Sequence, residues 1–282
     1  MRIILRKIFD QNQINMKEYF DANENLWDKK TPIHLKADFY DMPGLLAGKT
    51  SLRQPELADL PAEFVNGKSM LHLQCHFGQD SLSFARMGAT VTGIDLSGKA
   101  IEAGRELNKQ LDLDVTFIKS NVYDLPENLQ GKFDIVFTSY GTITWLPDLV
   151  KWAKVISHFL EPGGIFYIVD THPLLYLFDF ETNKIAYHYF NSGKPYIEST
   201  DGTYADPKSG LKELEHFWCH SLHEVIQPLL QEGLQLLDFK EYDYSPYDCF
   251  PNMEKDGEQV FRYKKAGANI AHLFSIKMRK PS

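Results

Sequence analysis

From Ser69 onward, short apolar runs alternate with segments in which apolar residues recur at helical spacing. The chain reads SMLHLQC, then the helical DSLSFARMG, then TVTGID, then the helical KAIEAGRELNKQL, then VTFIKS. FDIVFTSY and GGIFYIVD follow, separated by a helix that sets Leu149, Ala153, Ile156 and Leu160 on one face. Strands alternating with helices predict βαβ units, a parallel sheet and helices on both faces. Five strands are placed by Asp170. The rhythm then breaks: residues 174–220 are rich in Tyr, Phe, Gly and Asp, with patches of alternation such as KIAYHYF, and predict an antiparallel β insertion of lid type. It resumes with SLHEVIQPLLQEG, where Pro228 should kink the helix, and with the strands LQLLDFKEYD and HLFSIKMRK. The expected architecture is an α/β, doubly wound, mostly parallel seven-stranded sheet, with a helical N-terminal cap over residues 1–60 and the sheet domain over residues 61–282.

Composition narrows the function. A chain of 282 residues that is 43% hydrophobic suits one large domain with elaborations. A formal net charge of -8 without a Lys/Arg stripe argues against nucleic acid as partner, because phosphate neutralisation supplies most of that affinity. Cys75, Cys219 and Cys249 are widely spaced and form no CxxC pair, which points to a reducing, cytoplasmic setting without a disulfide framework. The opening MRIILRKIFD is broken by Arg6, Lys7 and Asp10 before it reaches the length of a signal peptide or membrane span. Amphipathic character begins after Met16, so the first fifteen residues read as an upstream extension. Oligomeric state is not legible.

In an open parallel sheet, ligands sit beyond the carboxyl ends of the strands, where strand order reverses. The first such turn is His72-Leu73-Gln74-Cys75-His76-Phe77-Gly78, and seventeen residues beyond Gly78 stands Asp95, at the end of the second strand. That interval suits an acidic side chain accepting hydrogen bonds from ribose hydroxyls.

The pattern GxxxLxxAxxGAxVTGIDLSxxAI over Gly78–Ile101 resembles the core of class I S-adenosylmethionine-dependent methyltransferases. Asn121-Val122-Tyr123-Asp124-Leu125-Pro126 and Leu160-Glu161-Pro162-Gly163-Gly164 follow in the order and spacing of that family. The resemblance implies S-adenosylmethionine as cofactor, Asp95 on the ribose, Asn121 and Val122 on the adenine by side chain and backbone N–H, and a last strand inserted antiparallel. It also implies a small-molecule methyl acceptor. The sequence departs from the family where an acidic residue and glycines are usual: it has His72, Gln74 and His76 and keeps only Gly78. Gln74 and His76 must therefore point away from the cofactor or replace backbone contacts with side-chain ones. Leu96 and Ser139, at the ends of the second and fourth strands, are further candidates for cofactor contact.

Trp27, His34 and Tyr40 lie outside the predicted sheet and are read as a cap over the cofactor, or as ordinary apolar anchors. His172, just past the fifth strand, is a candidate base, and Tyr140 a candidate wall against the sulfonium or substrate. Tyr187, Tyr189, Tyr204, Phe217 and Trp218 could wall the pocket or form the insertion's own core. His72, Cys75 and His76 have metal-binding side chains, but no second ligand cluster accompanies them. Two other readings share the fold. One is a nicotinamide-dependent oxidoreductase, weakened by the missing GxGxxG; the other is a non-catalytic cofactor-binding module. The absence of a Pro-Pro-Tyr or Pro-Cys segment lowers the case for nucleic-acid bases as acceptors.

Overall fold

The computed structural model describes residues 2–199, 201–267 and 269–282, with backbone alone for residues 2–15. The reading of the first fifteen residues as an extension without structural role concerns side chains outside the described residues.

The chain opens with helix α1 (Arg2–His34) and the short helices α2 (Met42–Leu46), α3 (Gln54–Asp59) and α4 (Ala62–Val65). The alternating segment follows as β1 (Ser69–Leu73), α5 (Gln79–Arg86), β2 (Thr90–Asp95), α6 (Gly98–Gln110) and β3 (Thr116–Lys119). Next come α7 (Leu125–Asn128), β4 (Phe133–Ser139), α8 (Leu149–Phe159) and β5 (Leu160–Thr171). Leu160, expected on the helix face, instead opens β5, which takes in the Glu161–Gly164 stretch as an irregular start. The interrupting region forms two small antiparallel pairs, β6 (Phe178–Asp179) with β7 (Lys184–Ile185), and β8 (Tyr196–Ser199) with β9 (Leu214–Phe217). Of the alternating KIAYHYF only two residues pair. Helix α9 (Leu222–Gln231), with Pro228 inside it, leads to β10 (Gln235–Tyr242), the hairpin β11 (Met253–Lys255) and β12 (Phe261–Tyr263), and β13 (Leu273–Arg279).

The seven main strands lie in the order β10-β13-β5-β4-β1-β2-β3, and β13 runs antiparallel to both neighbours, as the resemblance implies. Alternation along each strand feeds two cores. Leu71, Val136, Phe166 and Ile168 face α8 and α9, while Met70, Phe137, Tyr167 and Val169 face α5, α6 and the N-terminal helices. Burying each such large side chain stabilises the fold by about 1.5–3 kcal/mol. Helix α8 starts where Asp148 accepts from the N–H groups of Val150 and Lys151, and it buries Trp152, Ile156 and Phe159. A capping box between Ser221 and Glu224 starts α9.

Strand order reverses between β1 and β4, and α1 lies over this edge. Asp28 accepts from Ser97 Oγ at 2.6 Å and from Lys99 N at 3.0 Å, tying α1 to the start of α6. On its other side, the Asn23 carboxamide exchanges two hydrogen bonds with the His216 backbone of β9 at 2.8 and 3.0 Å. Lys29 pairs with Glu213 and Lys30 with Glu215. Cap and insertion therefore form one roof. Among the described residues, no helix is long and apolar enough to cross a membrane.

Candidate functional site

The loop from β1 to α5 alternates extended and left-handed residues: Gln74 (φ 53°), His76 (φ 53°) and Gly78 (φ 76°) are all left-handed. Only glycine adopts this conformation without strain. At Gly78 a Cβ would also lie 2.3 Å from the Phe117 ring, so glycine is required twice over. The two residues that depart from the family pattern thus carry side chains on backbone that glycine would adopt freely. Gln74 spans the sheet edge to donate from Nε2 to Thr142 O at 2.9 Å, and its buried Oε1 has no protein partner. The His76 imidazole turns toward the roof, edge-on to Trp27 at 5.3 Å, and its buried Nε2 likewise has no partner. His72 is a core residue, its Nδ1 2.8 Å from Ser81 Oγ, and Cys75 is buried.

Asp95, at the end of β2, receives the His76 N–H on Oδ2 and the Ser97 N–H on Oδ1, both at 2.8 Å. Burial pushes its carboxyl up to about 6, against the pull of these two bonds. A carboxylate offers about four acceptor sites, so two N–H donors leave room for ligand hydroxyls. The helix cap of α6 is Ser97 rather than Asp95, whose Oγ accepts from Ala100 N at 3.0 Å. Asn121 uses Oδ1 to cap the turn at Val122–Asp124 through Tyr123 N at 3.0 Å, which leaves its amide N–H groups for another partner. Val122 is buried against the α8 core.

The loop after β4 is held by Asp170, a residue the sequence reading did not single out. Its buried carboxylate accepts from the N–H groups of Gly141, Thr142, Ile143 and Thr171 and from Thr142 Oγ1. Tyr140 takes φ 38° here, and its hydroxyl donates to Glu56 Oε2 at 2.7 Å. Burial and the nearby Asp80 charge push the Glu56 carboxyl up to about 8. Ser51 and Ser139 donate hydroxyls to Asp80 at 2.6 and 3.2 Å, and the Arg53 guanidinium lies 4.5 Å from the Tyr247 ring centre with no carboxylate in ion-pair contact among the described residues. Arg53, Glu56 and Asp80 were missed because they fall in a stretch without strand or helix periodicity and at a helix start; a charged residue at the first turn of α5 was the one available signal.

One cavity of about 900 Å³ brings these groups together. Gln74, His76, Gly78, Asp95, Leu96, Asn121, Val122, Ser139 and Tyr140 line it, as do Trp27 and Tyr40 from the cap. His34 does not. It is buried behind them, stacked on Tyr40 at 5.2 Å, and burial with the Lys30 charge pushes its imidazole down to about 3. His172 is also absent from the lining, contrary to the expectation of a base: its Nδ1 accepts from Leu174 N at 3.1 Å, and its Nε2 lies 2.9 Å from Glu241 of β10 without forming a hydrogen bond. From the insertion, Tyr187, Tyr204 and Phe217 line the cavity, whereas Tyr189 and Trp218 do not. Trp218 packs on Tyr19 of α1 instead.

Residues 70–164 match the family described as a methyltransferase domain. An uncharacterized methyltransferase of Synechocystis sp. is 36% identical over 107 residues, covering 38% of this chain and 48% of that protein. A ubiquinone biosynthesis O-methyltransferase of Alkalilimnicola ehrlichii is 29% identical over 116 residues, covering 40% of this chain and 47% of that protein. The chain thus spans about half the length of these relatives. The solved structure of an S-adenosylmethionine-dependent methyltransferase from Clostridium acetobutylicum shares the fold, with a TM-score of 0.56 over 93% of this chain and 99% of that one at 12% identity. Taken with the motif order and the sheet topology, these matches show that residues 70–164 are similar to a methyltransferase domain and that the chain shares the fold of S-adenosylmethionine-dependent methyltransferases.

Proposed function

We propose that this protein binds S-adenosylmethionine in the cavity at the β1–β4 edge and transfers the methyl group to a small-molecule acceptor. The observation that carries the reading is that one cavity is lined by Asp95, Arg53 and Asp80. A nucleoside with an amino-acid tail needs hydroxyl acceptors at one end and complementary charges for a zwitterion at the other. Asp95 accepts from the ribose hydroxyls, and Asn121 offers its free amide N–H groups to the adenine. Arg53 takes the tail carboxylate and Asp80 the tail ammonium. Gln74 Oε1 and His76 Nε2, buried without protein partners, supply side-chain contacts where the family uses bare backbone. Trp27 and Tyr40 close the roof. The cofactor supplies an electrophilic methyl on a sulfonium; alignment and exclusion of water are the protein's share of the work. Tyr140, fixed by Glu56 and by the Asp170-bound loop, stands at the acceptor side as a wall.

Calorimetric titration with S-adenosylmethionine, S-adenosylhomocysteine and NADH tests this. Saturable micromolar binding of the two sulfur nucleotides, with none of NADH, is the expected result; binding of NADH alone, or of none, overturns it.

A further inference from the structure

On the antiparallel pair β8–β9, Glu198 stands directly opposite Glu215, and both line the cavity. Like charges in a facing cross-strand pair destabilise a sheet. Lys30 answers only one of them: its ammonium lies 3.3 Å from Glu215 and 5.0 and 5.4 Å from the ring centres of Trp27 and Trp145. Glu198 accepts the Tyr187 hydroxyl at 2.8 Å and has no cation in ion-pair contact among the described residues. The Tyr187 ring that carries this hydroxyl meets the Phe217 ring edge to face at 5.9 Å, and both line the cavity. Buried Lys30 displays, within this chamber, how an alkylammonium is held: on aromatic faces and against a glutamate. The second glutamate and the second pair of rings repeat that arrangement with no ammonium in ion-pair contact among the described residues.

We infer that the acceptor is an amine carried as a cation, its ammonium seated against Glu198 and beside the Tyr187 and Phe217 rings. This rests on the cofactor reading above. A carboxylate that no cation answers, in a half-buried position beside aromatic rings, attracts a cation and repels a carboxylate or phosphate. Arg53, a cavity cation with no carboxylate in ion-pair contact among the described residues, has Asp80 as its nearby charge and is assigned to the cofactor tail, so it does not offset Glu198.

The test uses the full chain saturated with S-adenosylhomocysteine at neutral pH and three ligands on one ring: tyramine (cationic), 4-ethylphenol (neutral) and 4-hydroxyphenylacetate (anionic). Tyramine is expected to bind at least tenfold more tightly than either of the others. Glu198→Gln should remove that preference and Glu198→Asp should keep it, with the affinity for S-adenosylhomocysteine unchanged in both variants and the melting temperature not lowered by Glu198→Gln, which relieves the facing charge. Equal or tighter binding of the neutral or anionic ligand, no tyramine binding up to millimolar concentration, or a preference that survives Glu198→Gln overturns the inference. Failure of S-adenosylhomocysteine to bind strikes the cofactor reading instead.

Discussion

The His76 backbone N–H donates to Asp95 Oδ2 at 2.8 Å. This bond makes the left-handed turn at His76 and the orientation of the β2 carboxylate a single feature, since the N–H points at Asp95 only in that conformation. The other carboxylate oxygen is fixed by Ser97, so the group meets a ligand already oriented.

Asp95→Ala is expected to weaken S-adenosylhomocysteine binding at least about tenfold, because it deletes charge-assisted hydrogen bonds from a half-buried site. A protonated carboxyl is a poorer acceptor, and the free carboxyl sits at about 6, so affinity of the parent should fall as pH drops below that value. Calorimetry from pH 5 to 8 reads both effects; a folded variant with unchanged affinity removes Asp95 from the ribose.

Arg53→Gln should weaken S-adenosylhomocysteine about tenfold while leaving adenosine binding unchanged, because adenosine lacks the tail that Arg53 contacts. Equal losses for both ligands would place Arg53 elsewhere in the site.

Gly78→Ala should destabilise by more than about 2 kcal/mol, since it combines a left-handed backbone with a Cβ 2.3 Å from Phe117. His76→Gly is the opposite case: it relieves left-handed strain worth about 1 kcal/mol, so the melting temperature should hold or rise while cofactor affinity falls. A drop in melting temperature for His76→Gly would show that the imidazole holds the roof rather than the ligand.

Glu56 makes stability depend on pH. Its folded carboxyl, at about 8 against an ordinary 4.5, holds a proton through a range in which the unfolded chain has released it. Unfolding there releases a proton, so stability should decline as pH rises from about 4.5 to 8. Thermal melts of Glu56→Gln should show a flatter decline across that window, with the Tyr140 contact kept by the amide oxygen. A slope equal to the parent's means that another group is responsible.

Asp170→Asn should cost about 3 kcal/mol and loosen the loop at Tyr140, because an amide nitrogen would face N–H donors that the carboxylate now satisfies. Hydrogen exchange of residues 140–143 measures it.

The sequence by itself determined the sheet, its alternating helices and the position of Asp95, because strand alternation, helix spacing and the reach from a strand end to a ribose are local properties of the chain. It also marked Gln74 and His76 as the unusual residues. Tertiary structure decided what those residues face. It placed His172 against Glu241 rather than in the cavity, moved His34 behind Tyr40, brought Arg53 and Asp80 into the cavity wall, and set Glu56 on the Tyr140 hydroxyl. The pairing of Glu198 with Glu215 depends on the register of β8 and β9, and a compensating charge comes from Lys30, 185 positions before Glu215 in the chain. Such contacts follow from how packed faces meet across the fold, and no local pattern encodes them.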